Sequence, residues 1–290
     1  MQVLLARSAG FCLGVSLALE HLDKELVAFT AGEYASAGRL ITFGPIIHNP
    51  LVMRGYEEQG VVCEDDPAKI RPGDRVVIRA HGIPREVEQD LRAAGAVIID
   101  ATCPKVKKAQ LAIAGVRGKS ISLLLFGESE HPEVRGLLSY AKKDFRVFGS
   151  LEELDALDLG AGPYCLAAQT TQDRTAFLEA RQRLKERLGK PVQALDTICN
   201  ATRGRQQGVI ALCGKVRAMV VVGGFNSGNT RRLAEVARAG GVYTVHVEQA
   251  NDFTEQEKAA LKQAGVVGLT AGASTPQSHM EAMLAYLQGL

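Results

Sequence analysis

The chain has 290 residues, 46% hydrophobic and 23% charged, with a formal net charge of +2. That is length for one to three folded domains, with too little excess positive charge to predict bulk nucleic-acid binding. No apolar run reaches the roughly 18 residues of a membrane helix, and the segment before Cys12 lacks the apolar core of a signal peptide. The expectation is a cytoplasmic protein with no membrane or nucleic-acid partner, in which six cysteines without close pairing serve as thiols, metal ligands or catalysts rather than a disulfide framework.

The apolar run Val3-Leu4-Leu5-Ala6 opens the chain and leads to Cys12. A helical period over 14–26 follows, then a predicted strand over 40–43 that ends in Gly44-Pro45-Ile46-Ile47-His48-Asn49-Pro50. After a helix to Tyr56, a strand at 61–63 and a polar link, the strand 75–78 ends in Arg79-Ala80-His81-Gly82. A helix over 85–94 and a strand over 96–99 then lead to Cys103. The same steps recur: helix 106–116, strand 121–126 ending in Glu128-Ser129-Glu130-His131-Pro132-Glu133, helix 134–142, strands 145–148 and 164–167, and Ala168-Gln169-Thr170-Thr171. A charged helix over 173–188 and the apolar run 192–195 then lead to Cys199. A third pass has helix 203–213, strand 218–222, the loop Gly223-Gly224-Phe225-Asn226-Ser227-Gly228-Asn229-Thr230 and helix 231–239. Strand 242–247, helix 254–263, strand 266–269 ending near Ser274, and a closing helix from Gln277 complete it.

Short apolar strands alternating with helices predict an α/β protein with mostly parallel sheets. The near copies Asp100-Ala101-Thr102-Cys103 and Asp196-Thr197-Ile198-Cys199 sit at like places in their passes, which points to an internal repeat. The expected division is an N-terminal strand over 1–12, αβ domains over 13–102, 103–198 and 199–276, and a closing helix over 277–290. Parallel sheets carry functional residues just beyond the carboxyl ends of their strands, and the polar clusters fall there. In order, the corresponding positions are Cys12, Cys103 and Cys199; His48, His131 and the 226–229 loop; and His81, Thr170 and Ser274. Three units around a pseudo-threefold axis would bring these regions to one centre.

Three thiols leave two metal chemistries open. Zinc takes four ligands, or three and a water, whereas a cubane iron-sulfur cluster takes four cysteines, so three would leave one iron open as a Lewis acid. Cys63, Cys165 and Cys213 lie in apolar segments and read as core residues. His48, His81, His131, Thr170, Ser227, Asn229 and Ser274 are donors that could hold a diphosphate, helped by backbone N–H groups of the glycine-rich turn; each histidine taken alone reads equally as a cap or a satisfied loop residue. Glu133 would be repelled by phosphate if charged, so it suits proton transfer, or else favours the start of its helix.

A family resemblance rests on Gly-Phe-Cys12-x-Gly-Val, His48-Asn49-Pro50, Arg79-Ala80-His81-Gly82, Asp100-Ala101-Thr102-Cys103-Pro104 and His131-Pro132-Glu133-Val134-x-Gly136, continuing with Gln169-Thr170-Thr171, Asp196-Thr197-Ile198-Cys199-Asn200-Ala201-Thr202-x-x-Arg205-Gln206 and Asn226-Ser227-x-Asn229-Thr230. In this set, which spans the chain in order, the sequence resembles the 4-hydroxy-3-methylbut-2-enyl diphosphate reductases, the LytB/IspH family. The resemblance implies three similar αβ domains in a pseudo-threefold trefoil around a central 4Fe-4S cluster, with Cys12, Cys103 and Cys199 as its ligands. It implies reductive dehydroxylation of an allylic diphosphate to isopentenyl and dimethylallyl diphosphate, the last step of the non-mevalonate pathway, with reduced ferredoxin or flavodoxin as electron donor. Carried over by position, His48, His81, Ser227, Asn229 and Ser274 would hold the diphosphate and His131 would stand near it. Glu133 would relay protons and Thr170 orient the substrate, while Lys105, Lys107 and Lys108 offer a docking patch for an acidic donor or a solvated helix face. The sequence departs from the pattern at Phe225, where relatives often carry Lys, and at Gly228, where they often carry Ser.

Overall fold

The computed structural model describes the chain except residues 7, 35–37, 117–120 and 143. Its strands are β1 (Gln2–Leu5), β2 (Leu40–Phe43), β3 (Val62–Glu64), β4 (Arg75–Ile78), β5 (Val97–Asp100), β6 (Ser122–Phe126), β7 (Phe145–Phe148), β8 (Tyr164–Ala168), β9 (Gln193–Ala194), β10 (Ala218–Val222), β11 (Tyr243–Val247) and β12 (Val266–Ala271). They form three four-stranded sheets, ordered β3-β2-β4-β5, β7-β6-β8-β9 and β11-β10-β12-β1. Every paired neighbour runs parallel. The protein is thus α/β, and one strand order is used three times.

The third sheet takes its fourth strand from the other end of the chain. β1 lies against β12 with Val3 opposite Val267, so the repeat is closed by the N-terminal strand. By compactness the chain divides into two units. One comprises Met1–Val15, His48–Val52 and Asn200–Leu290 and carries the third sheet; the other comprises Ser16–Ile47 and Met53–Cys199 and carries the first and second.

Central strands read as unbroken apolar runs because both faces are covered. Alternate residues serve opposite faces: Leu124 and Phe126 of β6 enter one core cluster, Leu123 and Leu125 the other. β10 does the same, with Ala218, Val220 and Val222 on one side and Met219 and Val221 on the other. Several helix starts are capped by side chains, as at Asp173, which accepts from Ala176 N, and at Thr254, which forms a reciprocal capping box with Glu257.

The helix Leu151–Ala156, capped by Ser150, has no counterpart in the sequence reading, since six residues carry too little period to separate from a loop. The helices Asn200–Cys213 and Gly228–Ala239 each begin three residues before their expected starts. Asn and Gly are poor helix formers, yet Ser227 accepts the Thr230 N–H and pulls Gly228 and Asn229 into the first turn.

Candidate functional site

Because all strands in a sheet run parallel, their carboxyl ends share one edge, and each sheet holds one of the three cysteines at its own such edge, by the same kind of local bond. Cys103 N donates to Ala80 O at 2.9 Å, Cys199 N to Thr170 O at 2.9 Å and Cys12 N to Ala273 O at 3.2 Å. Each accepting residue is the second beyond the third strand of its sheet, after β4, β8 and β12. The turns that follow are also alike: Gly82 N bonds Arg79 O, Gln172 N bonds Gln169 O, and Thr275 N bonds Gly272 O. This register aligns His81 and Ser274 with Thr171, not with Thr170; Thr170 matches Ala80 and Ala273. The three residues are half-buried thiols outside any disulfide, the state a soft metal needs from cysteine.

Glu133, from the helix Pro132–Leu138, is 2% exposed. Its Oε1 accepts from Thr170 N at 2.6 Å and its Oε2 from Thr170 Oγ1 at 2.8 Å. Burial pushes the carboxyl up to about 7, against the pull of those two bonds. His131 caps the same helix, with Nδ1 accepting from Glu133 N at 3.1 Å, which leaves Nε2 as the protonated nitrogen of a neutral ring. The His81 ring meets that of His131 edge to face, 5.4 Å between centroids. Glu133, Thr170, His131, His81, Cys103 and Cys199 all belong to the second unit, and Thr170 ties the carboxyl on one side to the Cys199 backbone on the other.

In the first unit, β10 exits into the turn 223–227. Gly223 has φ +141°, and an added Cβ would lie 2.8 Å from Thr275 Oγ1, so only glycine fits. Ser227 Oγ caps the helix Gly228–Ala239. Asn229, 6% exposed, has its Nδ2 without a hydrogen-bond partner among the described residues. An orphaned buried donor in a helix's first turn calls for an acceptor from outside the chain, and the helix end favours an anion. Ser274 Oγ donates to His48 O at 2.9 Å, and Asn49 Nδ2 donates to Ser274 O at 2.8 Å. The Ser274 hydroxyl proton is thus engaged with backbone in this arrangement.

Cys63 corrects the sequence reading: it lies exposed on β3, an edge strand, because the short apolar run around it has only one covered face. Cys165 is buried, as expected. Lys105 and Lys108 are exposed, while Lys107 is paired with Asp100 at 2.5 Å. Sequence reasoning assigned no role to Arg205, which is 5% exposed and donates from Nη2 to Gly10 O at 2.6 Å, holding the turn before Cys12. A basic residue on the helix after Cys199 gives no such sign without the chain path that brings Gly10 to it.

Comparison with known proteins agrees over the full length. The family model for LytB protein matches residues 3–288. A curated relative from Nitratidesulfovibrio vulgaris (strain DSM 19637 / Miyazaki F), named 4-hydroxy-3-methylbut-2-enyl diphosphate reductase, is 56% identical and covers 100% of both chains. The solved E-1-hydroxy-2-methyl-but-2-enyl-4-diphosphate reductase of Plasmodium falciparum superposes with a TM-score of 0.89 at 25% identity, covering 98% of this chain and 87% of that one. A second solved structure, of (E)-4-hydroxy-3-methyl-but-2-enyl diphosphate reductase, described as the terminal enzyme of the non-mevalonate pathway, is 34% identical with a TM-score of 0.65 and covers 100% of both chains. With three like sheets, three like cysteine turns and full-length matches, the chain belongs to the LytB protein family.

Proposed function

We propose that the protein reduces 4-hydroxy-3-methylbut-2-enyl diphosphate to isopentenyl and dimethylallyl diphosphate, two electrons and two protons entering as one water leaves. The observation that carries this reading is the buried Glu133 carboxyl held by both polar groups of Thr170. A group held near pH 7 by burial can give up a proton and regain it at neutral pH. Thr170 Oγ1, both donor and acceptor, keeps the carboxyl aligned and can pass that proton on. His131, whose Nδ1 caps the helix that carries Glu133, would stand near the diphosphate and the protons.

Cys12, Cys103 and Cys199 would hold the iron-sulfur cluster; their equivalent turns and thiol state support that ligand set. When bound, a 4Fe-4S cluster with three thiolate ligands supplies electrons and one Lewis-acid iron. The segments 13–102, 103–198 and 199–276 would each act as an αβ domain that brings residues to it. His48, His81, Ser227, Asn229 and Ser274 would bind the diphosphate, the orphaned Asn229 amide being the best-supported contact. Electrons would come from reduced ferredoxin or flavodoxin, with Lys105 and Lys108 rather than Lys107 exposed for an acidic partner.

The test is an anaerobic assay of reconstituted protein with the hydroxylated diphosphate and a chemical reductant, products read by mass spectrometry. Both five-carbon diphosphates are expected only when reductant is present. Turnover without reductant, or none with a full complement of iron, would overturn the reading. Cys103→Ser should lose iron and sulfide while Cys63→Ser keeps them, and the reverse result would remove the ligand assignment.

A further inference from the structure

The turn 223–227 is braced from behind by residues that neither the family motifs nor the proposed chemistry use. β11 pairs with β10 so that His246 stands opposite Val221, and His246 and Glu248, two residues apart, face the same side. His246 Nε2 reaches Gly223 O at 2.8 Å; a carbonyl only accepts, so Nε2 carries the proton. Glu248 Oε1 accepts from Phe225 N at 2.8 Å. Phe225 O accepts from Arg231 Nη1 at 2.9 Å, and the Phe225 ring packs against the His246 imidazole at a tilt of 53°, 4.8 Å between centroids. Glu248 is anchored in turn, its N–H donating to Asp252 Oδ2 at 2.8 Å.

Three backbone groups of the turn, Gly223 O, Phe225 N and Phe225 O, are therefore held by side chains. Phe225, otherwise half exposed, sets its ring against the His246 imidazole. These braces make the turn rigid, so that the donors after it, Ser227 and Asn229, are held in place before an anion arrives. We infer that His246 is a positioning residue for the diphosphate turn, with Phe225 as its cover and Glu248 as the second brace. The inference rests on the diphosphate reading of Ser227 and Asn229.

The experiment uses anaerobically reconstituted holoenzyme and two readouts, steady-state kinetics with the hydroxylated allylic diphosphate and competitive inhibition by inorganic diphosphate. His246→Leu should raise KM and the inhibition constant together by about tenfold, with kcat within about twofold of wild type. His246→Gln, whose amide can donate to Gly223 O, should recover to within about threefold. Glu248→Ala against Glu248→Gln gives the same contrast at the second brace, should His246→Leu not fold. Competition by inorganic diphosphate in the wild type, with both constants unchanged in His246→Leu and Glu248→Ala, would overturn the inference alone. So would a His246→Gln enzyme as impaired as His246→Leu. No competition in the wild type would remove the diphosphate reading, and the inference with it.

Discussion

Two helix starts in this protein share a plan and differ in one side chain. The helices Pro132–Leu138 and Gly228–Ala239 each follow the exit of their sheet's first strand, and His131 and Ser227 cap them. Two residues beyond each cap stand Glu133 and Asn229, both buried. Both oxygens of Glu133 are satisfied by Thr170, whereas Asn229 keeps an orphaned Nδ2. A carboxyl already supplied with hydrogen bonds and raised by burial is suited to holding a proton; an amide left unsatisfied is suited to receiving an anion. One local architecture, repeated, thus supports two chemistries, and the side chain at that position decides which.

The largest effect should come from breaking the first of these. Glu133→Gln keeps size and polarity but has no proton to exchange, so kcat should fall about 10²- to 10⁴-fold while iron content stays intact. A rate within a few-fold of wild type would remove Glu133 from the proton path. The same substitution tests the electrostatics independently of turnover. A carboxyl raised from 4.5 to about 7 favours the folded state fully below pH 4.5, and that contribution is lost as pH rises through 7. Between pH 5.5 and 8 the wild type should lose on the order of 2 kcal/mol of stability relative to Glu133→Gln. Anaerobic urea titrations at the two pH values would read it, and parallel curves for the two proteins would mean that Glu133 is not held neutral by its surroundings.

Much of this was legible in the sequence, for identifiable reasons. β2, β4, β7 and β10 fall where apolar runs bounded by Gly, Pro and Asp place them. The cysteine repeat was visible because turn chemistry is local. The closure of the third sheet by β1 was not, since pairing between the two ends of a chain leaves no local mark. Counting along the sequence matches Thr170 to His81 and Ser274; the backbone ladder shifts that match to Thr171 and leaves Thr170 to face Glu133. Poor helix formers hide the starts at Asn200 and Gly228, and His246 carries no local sign because its partner, Gly223 O, comes from the neighbouring strand's exit.

Asn229→Leu sharpens the comparison from the other side. Removing an orphaned buried donor should leave stability unchanged or raise it, because an apolar group of similar shape carries no desolvation debt. The inhibition constant for inorganic diphosphate should nevertheless rise about tenfold. Equal inhibition in the two proteins would mean that the orphaned amide has another purpose.

The smallest effect separates capping from binding at Ser227. Its Oγ accepts the Thr230 N–H at 3.3 Å, which uses a lone pair and leaves the hydroxyl proton available to a ligand. Replacing an N-cap Ser by Ala costs about 1 kcal/mol, but by Gly only a few tenths, because the Gly backbone admits water to the exposed N–H groups. If Ser227 only caps, diphosphate binding should track stability, with Ser227→Ala impaired and Ser227→Gly nearly normal. If its hydroxyl also donates to the anion, both variants lose that bond and should weaken inhibition alike, by about threefold to tenfold, while their unfolding midpoints differ. Midpoints that differ together with equal inhibition constants place the hydroxyl on the ligand; inhibition that follows the midpoints confines it to the helix.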